Sequence, residues 1–467
     1  MLKRLLTSIL ALAMVGTMLV SCGSSNPSSS SSAPSTPDAA SGSSSEGAES
    51  TELKPAKLRV WAHWGSEQRR PTINKMIEGF NEKYKDAGIE AEYVYVPFGE
   101  LETKLIASVA AGNPANAVVS AIEDVGVKAM RKQATDISPY LDPGTKDLFY
   151  DRYWDTVVWK DGVYGLPFNS DTRMLFYNKA MLAAANVNPD DIKSWDDMLA
   201  ATEKVDAANK GKGNYQAAFL PTLGNFGFDA IATTNNAKTF DDPMNPNVPT
   251  LNSKENVETL EYMKKYSDRY GQTLVQTLSA SAGSGAQDLF ISGQVAFLGQ
   301  VCNYIATLEK YNKDDAGNMI VDYGVMPHPV GPSVGDSEYR SSGGGFVVIV
   351  PYGAANPRES TKYVEYMCGN EASTIWAVEQ KDVMCNIAAN ETPELSEARG
   401  WDVTLELMPK TMVTRRHPYA PNASTFKDTA INKIVKDFSE TDCSKVLNEA
   451  QTEIEKKIEE DKAIFGE

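Results

Sequence analysis

Three short stretches bring aromatic rings, carboxylates and amides together just after apolar runs. Trp61, His63, Trp64, Ser66 and Glu67 follow Leu58-Arg59-Val60. Ser120, Glu123 and Asp124 follow Ala117-Val118-Val119, and Gln300 and Asn303 follow Val295-Ala296-Phe297. Aromatic faces stack on C–H surfaces while planar polar side chains bond hydroxyls, so this mixture suits a neutral, hydroxyl-rich ring. In open α/β sheets such groups gather beyond the carboxyl ends of strands. Trp61 follows the strand alternation and reads as core; Trp64 and Glu67 are the better binding residues on that loop. A second chemistry uses the same inventory. Glycoside hydrolysis needs two carboxylates about 5–9.5 Å apart, one acting as acid, and Glu67, Glu123 and Asp171 qualify by residue type.

Other chemistries find less support. His63, His328 and His417 lack metal-ligand spacing, so no metal site is expected. Cys302, Cys368, Cys385 and Cys443 form no C-x-x-C pair; Cys368 and Cys385 read either as a bridge or as free buried thiols. No Walker loop, G-x-S-x-G or G-x-G-x-x-G is present, and no cofactor is expected. A phosphate ligand would call for clustered arginines, and Arg340, Arg415 and Arg416 keep that option open.

These residues sit in a chain of 467 with formal net charge -17 and 42% hydrophobic residues. Its length allows two to four domains, and its composition excludes a fully disordered chain. With 62 acidic against 45 basic residues it would repel phosphate backbones, so no nucleic-acid partner is expected. Five cysteines in so long a chain do not hold the fold together.

The first residues read as a targeting segment. Lys3 and Arg4 precede an apolar run from Leu5 to Val20, and Leu19-Val20-Ser21-Cys22 closes it. The run is short and interrupted for a spanning helix and fits a signal peptide. Its end resembles the bacterial lipoprotein box, which implies cleavage after residue 21 and a lipid on Cys22. Residues 22–56 are Ser- and Pro-rich and cannot bury enough surface to fold, so they are expected to form a flexible tether. The protein would then be anchored to the outer face of a cell membrane without spanning it.

Beyond the tether, strands and helices alternate. Leu58–Trp61 opens as a strand; Ile73, Met76, Ile77, Phe80 and Tyr84 form a helical stripe that Gly88 caps. A strand over 91–96, a helix through Leu101, Leu105 and Val109, and a strand at 117–119 follow. That order predicts a parallel sheet with covered faces. Ser194 and Asp197 predict a capping box. Strands are expected at 295–301 and 346–350, a helix from Pro357, and a helical C-terminal region.

Four segments then resemble one family in its own order. Val163-Tyr164-Gly165-Leu166-Pro167-Phe168 with Leu175-Phe176-Tyr177-Asn178-Lys179 is similar to its "YGLP … LYYNK" segment. Ser194-Trp195-Asp196-Asp197-Met198 resembles "TWDEL", Phe290–Phe297 resembles "F-x-x-G-x-x-A-M", and Tyr323-Gly324-Val325-Met326-Pro327 resembles "YGVxPLP". The family is that of the extracellular solute-binding proteins of ABC importers, the sugar-binding, maltose-binding-protein-like type. The resemblance implies a two-lobed α/β fold, type II periplasmic-binding-protein-like, with ligand in a cleft between lobes. It implies a non-enzymatic monomer that delivers a di- or oligosaccharide to importer permease subunits; a polyamine, a peptide or a glycerol-phosphate ester is the alternative cargo. Lobe one is expected over 57–167 plus 299–343, and lobe two over 172–292 plus 346–467. Crossings are expected near residues 168–171, near 293–299 and at Gly343-Gly344-Gly345, where glycines read as a hinge or as a tight turn.

The resemblance also places ligand-binding residues. Asp171 stands eight residues before Lys179, where maltose-binding members carry a ligand carboxylate, with Asn169 as its neighbour. Family members often have a stacking Trp near position 303, where this chain has Asn303; Tyr304, Phe226, Phe228 and Trp401 are the aromatic replacements within reach. Arg340, Gly343 and Gly344 complete the set, Arg340 reading equally as a surface charge.

Overall fold

The computed structural model describes residues 52–281, 283, 287–334 and 338–465. The apolar leader, Cys22 and most of the Ser-rich segment lie outside the described residues. Twelve strands are used below. They are β1 Ala56–Ala62, β2 Ile89–Tyr95, β3 Ala117–Ala121, β4 Val158–Trp159, β5 Gly162–Val163 and β6 Leu166–Ser170, then β7 Arg173–Asn178, β8 Phe297–Val301, β9 Tyr323–Met326, β10 Ser341–Ser342, β11 Gly345–Ile349 and β12 Thr411–Met412.

The first lobe is a five-stranded sheet in the order β2-β1-β3-β11-β6. β1 pairs in parallel with β2 and β3, as the strand–helix alternation requires. The helix Arg70–Lys83 turns Ile73, Met76, Ile77 and Phe80 inward, and Gly88 closes the following turn at φ +70°. β11 enters between β3 and β6, antiparallel to both, so the sheet is mixed. The helices Pro357–Cys368 and Asn370–Gln380 pack back on the helix Arg70–Lys83.

The second lobe is built on the order β8-β7-β9, antiparallel throughout. Ser194 caps the helix Trp195–Asn209 in a complete capping box with Asp197. The long helix Lys254–Ala280, non-helical at Gly271, packs against the C-terminal helices Ala423–Val435 and Cys443–Phe465.

This pairing reverses the expected assignment of the return segments. Residues 297–326 belong with β7 in the second lobe, and residues 345–380 belong with β1–β3 in the first. The expected crossing near 293–299 is therefore interior to one lobe. The chain passes between sheets at 171–172 and again at 343–344. It returns a third time between the turn Ala388–Asn390, packed on the helix Asn370–Gln380, and the helix Trp401–Leu407, where Arg399 bonds Tyr323 O and Thr404 bonds Met174 Sδ of the second lobe. The expected assignment was carried over from the resemblance, and periodicity could not correct it, because it marks 297–301 and 346–350 as strands without naming their partners. Cys302, Cys368, Cys385 and Cys443 are free and buried, so the bridge reading for Cys368 and Cys385 is set aside. No described helix is long and apolar enough to cross a membrane.

Candidate functional site

A cleft of about 500 Å³ opens at the first two crossings. One wall comes from the first lobe: Phe98 at the start of the helix Phe98–Ala110, Ala121 at the end of β3 and Glu123 beyond it, and Phe346 on β11. The other carries Phe226, Phe228 and Asp229 from the second lobe. Asp171, Arg173, residues 342–345 and Arg415–His417 line the rest.

The crossing itself positions Asp171 and Arg173. Residues two apart in an extended chain share a face, and here the carboxylate Oδ2 stands 3.6 Å from Arg173 Nη2. Arg173 is fixed on its other side: Nε donates to Asn225 O at 2.7 Å and Nη1 to Ser342 O at 3.1 Å. The Asp171 N–H donates to Gly344 O at 3.4 Å, which joins the two crossings.

Beyond β3 the chain makes a turn, Ile122–Asp124, that presents its acids to the segment after β12. Arg416 Nε lies 2.8 Å from Asp124 Oδ1, its Nη2 lies 3.6 Å from Glu123 Oε1, and its N–H donates to Glu123 O at 2.9 Å. Burial pushes the Glu123 carboxyl up, helped by the neighbouring Asp124 and opposed by Arg416. Burial likewise raises Asp124 against the pull of Arg416. Opposite, Lys427 is buried at 6% side-chain exposure and meets Asp229 Oδ2 at 2.6 Å.

The aromatic part is a cluster of three rings. His63 sits 5.1 Å from Phe98 and 4.6 Å from Phe346, centroid to centroid. Burial, with Arg69 nearby, holds His63 down at about 4, so it backs the two phenyl rings as a neutral ring. Phe98 is 64% exposed and so presents a bare face. Phe226 and Phe228 stand on the other wall, whereas Trp401 and Tyr304 are buried, Tyr304 donating to Asp288.

Of the residues singled out by sequence, Glu123, Asp171, Phe226, Phe228, Gly343, Gly344, Arg415 and Arg416 line the cleft and His63 supports it. The others lie elsewhere. Trp64 is 1% exposed and packs on Phe168 and Trp376, 5.0 and 4.4 Å away, because its ring completes the core under β6. Glu67 is exposed and pairs with Lys310 at 3.5 Å. Ser120 is buried within β3, and Asp124 lies behind Glu123. Asn169 donates to Asp382 Oδ2 at 2.9 Å, accepts the Phe346 N–H at 3.0 Å and is buried, and it does not line the cleft. Gln300 accepts from Asn225 at 2.7 Å, and Asn303 precedes the helix Tyr304–Tyr311; neither lines the cleft. Arg340 lies in an adjoining recess. Arg173, Phe98 and Phe346 were missed: Arg173 was legible as the same-face neighbour of Asp171, while the two phenylalanines looked like ordinary strand and helix residues.

Two α/β lobes joined by chain crossings, with an aromatic and charge-paired cleft at the joints, define a solute-binding receptor. The profile described as bacterial extracellular solute-binding protein matches residues 64–374, and the chain belongs to that family. The arabinooligosaccharide-binding protein of Bacillus subtilis (strain 168) is 27% identical over 317 residues, which cover 65% of this chain and 68% of the relative. The maltodextrin-binding protein MdxE of the same organism is 24% identical over 333 residues, covering 68% and 72%. Among solved structures, CpMnBP1 with mannotriose bound superposes with TM-score 0.74 at 20% identity, over 85% of this chain and 99% of that one. The GacH receptor of Streptomyces glaucescens, studied with acarbose, gives 0.68 at 19% identity, over 87% and 99%.

Proposed function

We propose that the protein captures a di- or oligosaccharide outside the cytoplasm and delivers it to the permease subunits of an ABC importer. The observation that carries this reading is the cleft lining. The exposed ring of Phe98 and the half-buried rings of Phe346 and Phe226 line it together with ion pairs, Asp171 with Arg173 and Glu123 with Arg416. Rings stack on the first and hydroxyls exchange bonds with the second, with no net charge demanded of the ligand. The relatives named for oligosaccharides support the same cargo.

Binding without turnover fits the carboxylates: Glu123, Asp171 and Asp229 each face a cation instead of standing as an acid–base couple. Among the described residues no cluster of three His, Cys, Asp or Glu side chains is arranged to hold a metal ion, and the proposal uses neither metal nor cofactor. Calorimetry against a panel of sugars, combined with an assay for sugar release, tests it. Stoichiometric binding without hydrolysis is expected. Tight binding of a peptide, polyamine or glycerol-phosphate ester with no response to sugars overturns it.

The lipid anchor at Cys22 belongs to the same proposal and rests on the box at 19–22. Cys22→Ser should release the protein or leave it uncleaved. A processed variant that still partitions into membrane would exclude the anchor.

A further inference from the structure

A recess of about 260 Å³ adjoins the cleft, and Thr233, Ala237, Lys238 and Met412 line both. Alone it is smaller than an ordinary ligand pocket of about 300–1,000 Å³, so it reads as an extension of the cleft. Its charge differs from that of the cleft. In the cleft Arg173, Arg416 and Lys427 each meet a carboxylate, and Arg415 donates to the Asp155 and Val158 carbonyls. In the recess Lys410 meets Glu406 at 3.4 Å, but Lys238 and Arg340 form no ion pair with any described residue, although Glu338 stands exposed at the same recess.

Of these two cations Arg340 is held by its side chain and Lys238 by its backbone. Arg340 Nη1 donates to Asn236 Oδ1 at 2.9 Å, which orients the guanidinium and leaves its remaining N–H donors available. The Lys238 carbonyl accepts from Asn256 Nδ2 at 2.7 Å and Thr250 Oγ1 at 2.9 Å, so the ammonium extends from a pinned backbone. In a chain with 62 acidic and 45 basic residues, two cations that line a recess and form no ion pair with any described residue are a binding feature that a neutral sugar would leave unused.

We propose that this recess takes the carboxylate of a uronic acid, so that the preferred cargo is an acidic oligosaccharide whose neutral rings occupy the main cleft. The inference rests on the oligosaccharide reading above. A planar carboxylate matches the paired donors of the Arg340 guanidinium, and Lys238 supplies a second charge at the junction of recess and cleft.

Matched sugars test it by calorimetry: digalacturonate against galactobiose, and xylotriose with and without a glucuronic acid branch. In at least one pair the acidic member should bind about tenfold tighter or more, the scale of one charge-assisted bond. That ratio should shrink as salt rises and collapse toward one in Arg340→Gln and Lys238→Met. Equal affinity within both pairs, with the neutral members binding, overturns the inference and leaves the oligosaccharide reading standing. A ratio undiminished in both variants also overturns it, as does a preference confined to sulfated or phosphorylated sugars. Binding of no sugar at all defeats the oligosaccharide reading and the inference with it. If the variants fail to fold in a thermal-shift control, the salt dependence of the native ratio decides alone: a salt-independent ratio overturns the recess assignment.

Discussion

Asn169 Nδ2 lies 2.9 Å from Asp382 Oδ2, and with the backbone bonds Ser170 N–H to Val383 O and Cys385 N–H to Phe168 O it ties the first crossing of the chain to the stretch that leads into the third. Asn169 also accepts the Phe346 N–H at the second crossing, and Trp376 Nε1 donates to the same Asp382 oxygen at 2.9 Å. The Cys302 thiol at the end of β8 reaches Asp382 Oδ1 at 3.7 Å, so both lobes touch this carboxyl.

Asp382 should therefore make stability depend on pH. Burial pushes its carboxyl from 3.8 up to about 6; Asp171 adds to the push, while Trp376, Arg69 and Asn169 oppose it. In that window the folded chain keeps a proton that the unfolded chain has released, so this group's contribution falls as pH rises from 3.8 to about 6. His63, His328 and His417, all held down at about 4 chiefly by burial, contribute in the opposite sense and lose stability as pH falls below 6.5. The difference between native and Asp382→Asn melting temperatures across pH isolates the carboxyl. A difference that does not change between pH 4 and 6 would refute the assignment.

Asp171→Asn should weaken ligand binding with little effect on folding. The change keeps the shape but removes a charged acceptor at the cleft, a loss of about 1.5–3 kcal/mol for a bond to a charged group. Its side chain is 21% exposed, and its ion pair with Arg173 spans 3.6 Å, so the fold depends on it less than the ligand does. Titration calorimetry on a variant with native melting behaviour measures this, and unchanged affinity would remove Asp171 from the site.

Phe98 and Trp64 should behave oppositely although both lie near His63. Phe98 is 64% exposed, and Phe98→Ala should cost affinity, about 0.5–1.5 kcal/mol for a lost aromatic face, with little change in stability. Trp64 is 1% exposed against Trp376, and Trp64→Ala should cost about 3–5 kcal/mol of stability. Paired denaturation and binding curves separate the two. A stable Trp64→Ala with reduced affinity would return Trp64 to the cleft.

What the sequence disclosed follows from which interactions are local. The parallel trio β1–β3, the Ser194 capping box and the Gly88 cap depend on residues close in the chain, and they read directly from spacing. The partner of β11 does not, because nothing near Phe346 in sequence names β3 or β6. The same limit governs the site. Asp171 was placed by the resemblance, eight residues before Lys179, and does line the cleft, while Asn169, two residues earlier on the same face, is bonded to Asp382 from far along the chain. Trp64 looked like a loop aromatic because the Trp376 ring that buries it is distant in sequence.

The final prediction concerns the second crossing. Gly345 takes φ +114°, and a Cβ there would stand 2.1 Å from the Asn169 carbonyl oxygen. Gly345→Ala combines a left-handed backbone with a backbone clash, so it should destabilise by at least about 1–3 kcal/mol. Gly344 is different: its backbone is not left-handed, and its Cβ would meet only Asp171 Oδ2, at 3.3 Å. Gly344→Val should fold, yet narrow the range of backbone angles available between the lobes. Ligand that touches both walls favours the closed arrangement by its differential affinity for it, and the crossings absorb the rotation. Small-angle scattering of the native protein should then show the radius of gyration falling on saturation with sugar. In Gly344→Val the fall should be smaller, or the affinity lower at equal closure. A native radius that stays constant in a sample shown to be saturated would exclude lobe closure as the working motion.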